Sequence, residues 1–203
     1  MTNRYRTGYS SWSLLLKEAD LVINEINDFS LFFKGEEKID YNIIPTNSES
    51  SKKRILSEVV KRIMSLEKPI FLELFLAGDD DDKNLILFYA VCKTYQLIPD
   101  FIIDTVVKKW QNMDYEVTSY DFKSFLYKLS DTQPDIISFT EKSLGNIAAS
   151  TIKILSEVGI LSGTSLQKKE FKPEILKQIA INGDSWLLEI LLLNENERQE
   201  IIG

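Results

Sequence analysis

The stretch whose reading decides the fold is residues 48–66, SESSKKRILSEVVKRIMSL. Ile55, Leu56, Val59, Val60, Ile63 and Met64 recur in it at spacings of three and four. That period gathers them on one broad face of an α-helix, where a strand would scatter them to both sides. Asn47 or Ser48 supplies a side-chain oxygen for the N-cap. The other face is mostly basic, with Lys52, Lys53, Arg54, Lys61 and Arg62 set against Glu49 and Glu58. Such a face has two readings. Glu58 and Arg62 sit at the spacing of an ordinary surface ion pair on a solvated helix, and a run of cations is also what lies along a phosphate backbone.

The helical period continues outward in both directions. Leu14, Leu15, Ala19, Val22, Ile23 and Ile26 predict a helix over 12–27, with Ser11 or Ser13 as cap. A helical turn over 29–34 closes at Gly35, and 36–47 reads as a loop with a short extended piece at 39–44 before Pro45. Pro69 opens a short helix through Leu76 with Gly78 just beyond it, and another helix follows over 80–95. Pro99 opens a helical segment through Trp110, carried by Phe101, Ile102 and Val106. Thr118 and Asp121 form a capping-box pattern ahead of Phe122, Phe125, Leu126 and Leu129, and residues 131–134 break the chain.

Thr140 or Ser143 begins the best helix of the C-terminal part, in which Leu144, Ile147, Ala148, Thr151, Ile152, Leu155 and Val158 face one way until Gly159 ends it. The Ser-Gly-Thr-Ser turn within 160–172 suits a small hairpin. Pro173 starts another helix, Asp184 caps a last one through residue 193, and the polar tail from Asn194 is expected to fray. The expected fold is therefore all-α, with helix-turn-helix or winged-helix-like units and at most one small β-hairpin near the C-terminus. Three segments are expected, 1–68, 69–133 and 134–203, able to pack as one domain.

Composition narrows the function. With 44% hydrophobic and 27% charged residues over 203 positions the chain is globular and long enough for a sizeable core. Cys92 is the only cysteine and there is no histidine. That removes intrachain disulfides, paired-thiol metal sites, the usual general base and the Ser-His and Cys-His nucleophilic pairs. No phosphate-cradling glycine loop or nucleophile elbow is present. The expectation is a protein that is not an enzyme, with no cofactor, no metal and no small-molecule substrate. The N-terminus lacks a signal-peptide core and no apolar run reaches the roughly 18 residues of a membrane span, so a cytoplasmic location off the membrane is expected. The acidic run from Asp79 to Asp82 stands where a helix macrodipole favours anions and lacks the alternation and glycine of a calcium loop. Trp12, Trp110 and Trp186 are expected as core or interface anchors. A net charge of −7 counts against a protein that coats DNA with its whole surface but permits a local basic face.

Two such faces are candidates. A loop, a serine-rich cap and a basic helix come in the order that a helix-turn-helix reader needs. Ser48, Ser50, Ser51, Lys52, Lys53 and Arg54 fall in the first turns, and Lys61 and Arg62 further along. The five cations are expected to stay exposed. The second candidate is the C-terminal helix, with Lys142, Ser143, Asn146, Ser150 and Lys153 on its polar side and Lys168 and Lys169 on a possible wing.

Four stretches then carry a family resemblance: YSSWSLLLKEADLVINEI from Tyr9, SESSKKRILSEVVKRI from Ser48, LAGDDDDKNLILFYAVCKTYQLIPDFIIDTVVKKW from Leu76, and KILSEVGILS from Lys153 ahead of the hairpin-like stretch. In order, spacing and total length the chain resembles the BrxA family, small all-helical components of bacterial BREX phage-defence systems. The resemblance implies a double-stranded DNA binder with helix-turn-helix-like units and a non-enzymatic role. It places the segment from Ser48 to Arg54 at the family's serine and basic start of a recognition helix, with Glu49 as a departure. Other implied roles are an assembly factor docking other defence-system proteins, or an RNA-binding, antitermination-like helical protein.

Overall fold

The computed structural model describes residues 5, 7–131 and 139–203. Tertiary contacts gather the chain into two compact units, Leu14–Thr94 and Tyr95–Gly203, the second joined by the N-terminal segment up to Ser13. The fold is mainly helical with one small two-stranded sheet near the C-terminus, as the apolar spacing requires. Among the described residues, no single helix is long and apolar enough to cross a membrane.

The unit Leu14–Thr94 contains α1 (Leu16–Glu25), α2 (Phe29–Phe33), a 3₁₀ turn (Tyr41–Ile43), α3 (Glu49–Met64), α4 (Ile70–Ala77) and α5 (Asp80–Thr94). Helix α5 is its centre: every residue from Leu85 to Cys92 is buried, and α1, α3 and α4 pack on it. Its start is tied by a reciprocal cap. Asp79 accepts from the backbone N–H of Asp81 and Asp82 at 3.0 and 3.1 Å, and Asp82 accepts from the N–H of Asp79 at 3.0 Å. Two local expectations are corrected. Helix α1 begins at Leu16, and its N-cap residue is Leu15 at φ 62°, not Ser11 or Ser13; Leu14 and Leu15 are both buried at the approach. The stretch 39–44 is extended only at Asp40 and Ile44, because the Asp40 carboxylate accepts from the N–H of Asn42 at 2.9 Å and winds Tyr41–Ile43 into the 3₁₀ turn.

The second unit contains a 3₁₀ turn (Gly8–Ser11) and α6 (Leu97–Phe101), which runs through a π-helical stretch (Ile102–Val107) into α7 (Lys108–Gln111). After these come α8 (Ser119–Ser130), α9 (Glu141–Glu157), β1 (Leu161–Ser162), β2 (Ser165–Leu166), α10 (Pro173–Ile181), α11 (Trp186–Ile190) and α12 (Glu195–Ile202). Helix α6 starts two residues before Pro99, whose ring is tolerated in a first turn. The π stretch adds a residue to the turn, so that Ile102, Val106 and Val107 all point inward. The capping box before α8 is present: Thr118 Oγ1 accepts from the N–H of Tyr120 and Asp121 accepts from the N–H of Thr118 at 2.7 Å. Most of the predicted break at 131–134 lies outside the described residues.

Helix α9 ends at Gly159, φ 87°, where the N–H of Ile160 returns to the carbonyl of Leu155 at 2.9 Å. The hairpin follows, in register Leu161 to Leu166 and Ser162 to Ser165. The sequence reading missed its third member. Residues 115–117 run antiparallel to β2 with Glu116 opposite Ser165, Val117 N–H donating to the Thr164 carbonyl at 2.8 Å and Leu166 N–H to the Tyr115 carbonyl at 2.7 Å. The C-terminal end is also corrected. Helix α11 stops at Ile190 and has Ser185 as its N-cap residue, while Asp184 accepts from the Trp186 indole N–H at 2.9 Å. The tail is helical, since Asn194 and Glu197 make a complete capping box for α12, and α12 packs against α10.

Candidate nucleic-acid interface

Helix α3 is capped by Ser48, whose Oγ accepts from the N–H of Ser51 at 3.4 Å and lies 2.8 Å from Ser50 Oγ. Inward it places Val59 and Ile63, while Ile55, Leu56, Val60 and Met64 are only half-buried. Outward it places Ser50, Lys53, Arg54 and Ser57. The expectation that all five cations stay exposed is corrected for Arg62, which is 1% exposed. Its Nε donates to Glu58 Oε1 at 2.7 Å and its Nη1 to the Leu14 carbonyl at 3.4 Å. Arg62 is on the inner flank of the helix, and pairing with Glu58, which is also buried, offsets its desolvation.

The remaining cations are largely answered locally. Lys52 turns back to Asn42 Oδ1 at 3.3 Å. Lys53 meets Glu49 at 2.5 Å and stands over the Tyr41 ring, 4.8 Å from its centroid. The hydrogen bond from Lys53, reinforced by one from the Tyr41 hydroxyl, lowers the Glu49 pKa, and the same bond raises that of Lys53. Lys61, partly exposed, meets Glu58 at 3.2 Å. The acidic residue that interrupts the serine and basic start of α3 thus neutralises its most accessible lysine.

Helix α9 differs. Thr140 caps it, accepting from the N–H of Ser143 at 3.2 Å. Leu144, Ile147, Ala148, Thr151, Ile154 and Leu155 are buried. Thr151 Oγ1 lies 3.1 Å from the buried Tyr9 hydroxyl, and Tyr9 packs on Tyr95 with ring centroids 4.9 Å apart. Ser150 is not part of the open face, because its hydroxyl donates to the Ser10 carbonyl at 2.9 Å. The open face is one straight stripe of Lys142, Asn146, Ala149, Lys153 and Ser156, all exposed, with Gly145 beside it. The small residues Gly145 and Ala149 were the missed part of this face; their signal was their spacing from Lys142, Asn146 and Lys153. Of the possible wing lysines, Lys168 pairs with Glu197 of α12, and the stem of Lys169 lies across Gly159. The Lys168 hydrogen bond, with one from the Asn194 backbone, lowers the Glu197 pKa.

Among the described residues no group of histidine, cysteine, aspartate and glutamate side chains is arranged to hold a metal ion. The run from Asp79 to Asp82 is occupied with the start of α5, as described above.

A model of the BrxA family matches residues 3–182. The chain belongs to the BrxA family. It is 25% identical over 195 residues to a protein of Bacillus cereus (strain H3081.97) described as BREX protein BrxA, an alignment that covers 93% of this chain and 96% of that one. The crystal structure of an uncharacterized protein from Magnetospirillum magneticum is similar in fold, with a TM-score of 0.76 at 17% identity, covering 93% of this chain and 98% of that one. The four stretches that carry the BrxA resemblance are largely structural here. Tyr9 is buried, Glu58 and Arg62 are an internal pair, Asp79 and Asp82 cap α5, and Gly159 ends α9.

Proposed function

We propose that this BrxA-family chain is a component of a BREX-type phage-defence system that binds double-stranded DNA, and that α9 is the helix laid in the groove. One observation carries the reading. Among the described residues the run α6–α7, residues 115–117, α8, α9, β1 and β2 follows the order helix, bridging segment, helix, helix and hairpin, with the segment bridged to the second strand of the hairpin. That is the order of a winged helix-turn-helix, whose last helix is the groove reader. The face of α9 suits the task. Lys142 and Lys153 stand at either end to meet phosphates, Asn146 offers an amide to a base edge, and Gly145 and Ala149 leave room for close approach. Helix α3 is the weaker candidate, because Arg62 is internal and Lys52, Lys53 and Lys61 have partners within the protein.

The test is fluorescence anisotropy with duplex DNA at a series of salt concentrations, alongside single-stranded RNA of the same sequence. Duplex binding that weakens steeply with salt, and exceeds RNA binding at each concentration, is the expected outcome. Tighter RNA binding would move the chain to the antitermination-like reading. Absence of duplex binding at low salt, with retention of other defence-system proteins, would leave it as an assembly component.

A further inference from the structure

The last turns of α10 and α12 leave an apolar face uncovered. Ile181 is 74% exposed and Ile202 55% exposed, with Ala180 and Ile201 half-buried beside them. Together they border a groove of about 360 Å³ that also takes in Lys177, Glu200 and Gly203. A single exposed isoleucine would need no explanation. Two of them around a groove form a patch of the kind that marks an interaction surface. Neither Lys177 nor Glu200 has an ion-pair or hydrogen-bond partner among the described residues, unlike Lys168 and Glu197 nearby, which satisfy each other.

The chemistry of the patch selects its partner. It carries a projecting side chain and a groove, and one unanswered side-chain charge of each sign. A uniformly acidic or basic partner would set one of those charges against its like. A surface that holds both halves of each complementary pair fits its own copy across a two-fold axis. We propose that this face joins two copies of the chain, with Ile181 of each seated in the groove of the other and Lys177 of each facing Glu200 of the other. The patch is small beside the roughly 800 Å² per partner of a standard interface, so the dimer is weak and concentration-dependent. It does not rest on DNA binding. Where DNA is bound, the dimer would present two α9 helices, as helix-turn-helix dimers do at paired half-sites.

Sedimentation velocity of the full chain without nucleic acid, over a series from low to high micromolar protein, tests this directly. The sedimentation coefficient is expected to rise with concentration. Ile181→Asp should weaken self-association about tenfold or more, since each copy loses a buried isoleucine. Lys177→Glu alone should also weaken it, and Lys177→Glu combined with Glu200→Lys should restore it, because both pairs re-form with reversed sign. All are surface changes, so an unchanged thermal melt confirms that the variants fold. A wild-type chain that stays monomeric throughout would assign the face to a different protein and overturn the proposal. A dimer indifferent to Ile181→Asp, or no recovery in the double exchange, would overturn it equally.

Discussion

Arg62 donates from Nε to Glu58 Oε1 at 2.7 Å, one helical turn away, and both side chains are inside the protein and not on the basic surface of α3. The other Glu58 oxygen is held by Lys61 at 3.2 Å. Arg62→Ala should cost at most about 3–5 kcal/mol, because the buried Glu58 carboxylate loses its guanidinium partner while Lys61 still meets its other oxygen. Replacing Arg62 and Glu58 together by methionine and leucine should cost far less, since both desolvated charges leave. Urea unfolding followed by circular dichroism measures both; a small loss for Arg62→Ala would mean that solvent already screens the pair.

The capping box of α8 predicts a pH dependence. Burial raises the pKa of Asp121, but the backbone N–H and hydroxyl of Thr118 and the Lys109 ammonium outweigh it and hold the carboxyl below the usual aspartate range. A carboxylate depressed in the folded state contributes fully above its unfolded value of about 3.9, and that contribution fades as pH falls through the folded value. The stability gap between wild type and Asp121→Asn should be constant near neutrality and shrink below about pH 4. A gap that ignores pH would show that the charge is not what stabilises the cap. Thr118→Ala should cost about 1 kcal/mol.

Cys92 is buried in α5, and burial pushes its thiol well above the ordinary cysteine value. Since the thiolate is the reactive form, maleimide should label Cys92 only as fast as the unit Leu14–Thr94 opens. Adding urea below the unfolding midpoint should accelerate labelling. Rapid labelling of the native protein would show that α5 is accessible without opening.

Gly159 closes α9 in the left-handed region at φ 87°. Gly159→Ala should cost about 1–2 kcal/mol, mostly backbone strain. The added Cβ also falls 2.5 Å from Lys169 Cδ, a contact that the flexible lysine stem can relieve. Chemical denaturation would detect the loss; an unchanged midpoint would mean that the end of α9 can rearrange without penalty.

If α9 is the groove reader, Lys142→Ala with Lys153→Ala should weaken duplex binding across sequences and reduce the salt slope by roughly two. Asn146→Ala should instead change the preference among sequences. Lys53→Ala with Arg54→Ala serves as the comparison and should lower the slope less, since Lys53 already answers Glu49. The reverse order of effects would return the DNA face to α3.

The sequence by itself determined the fold class, the main helices and most of their ends, because apolar spacing, capping boxes and helix-ending glycines act over a few residues. The 48–66 helix, the Thr118 and Asp121 box, the Thr140 cap, Gly159 and the hairpin turn could all be read locally. The sequence also held the Asn194 and Glu197 box, which the polarity of the tail obscured. Only the tertiary structure decided which polar residues face water. Arg62 and Lys52 look as exposed as Lys53 in a helical period, yet Glu58 and Leu14 draw the first inward and Asn42 holds the second. Only the tertiary structure joined residues 115–117 to a hairpin about fifty positions on, and Tyr9 to Thr151. Those pairings depend on long-range hydrogen bonds and shared burial, whose partners leave no periodic trace in the chain around them.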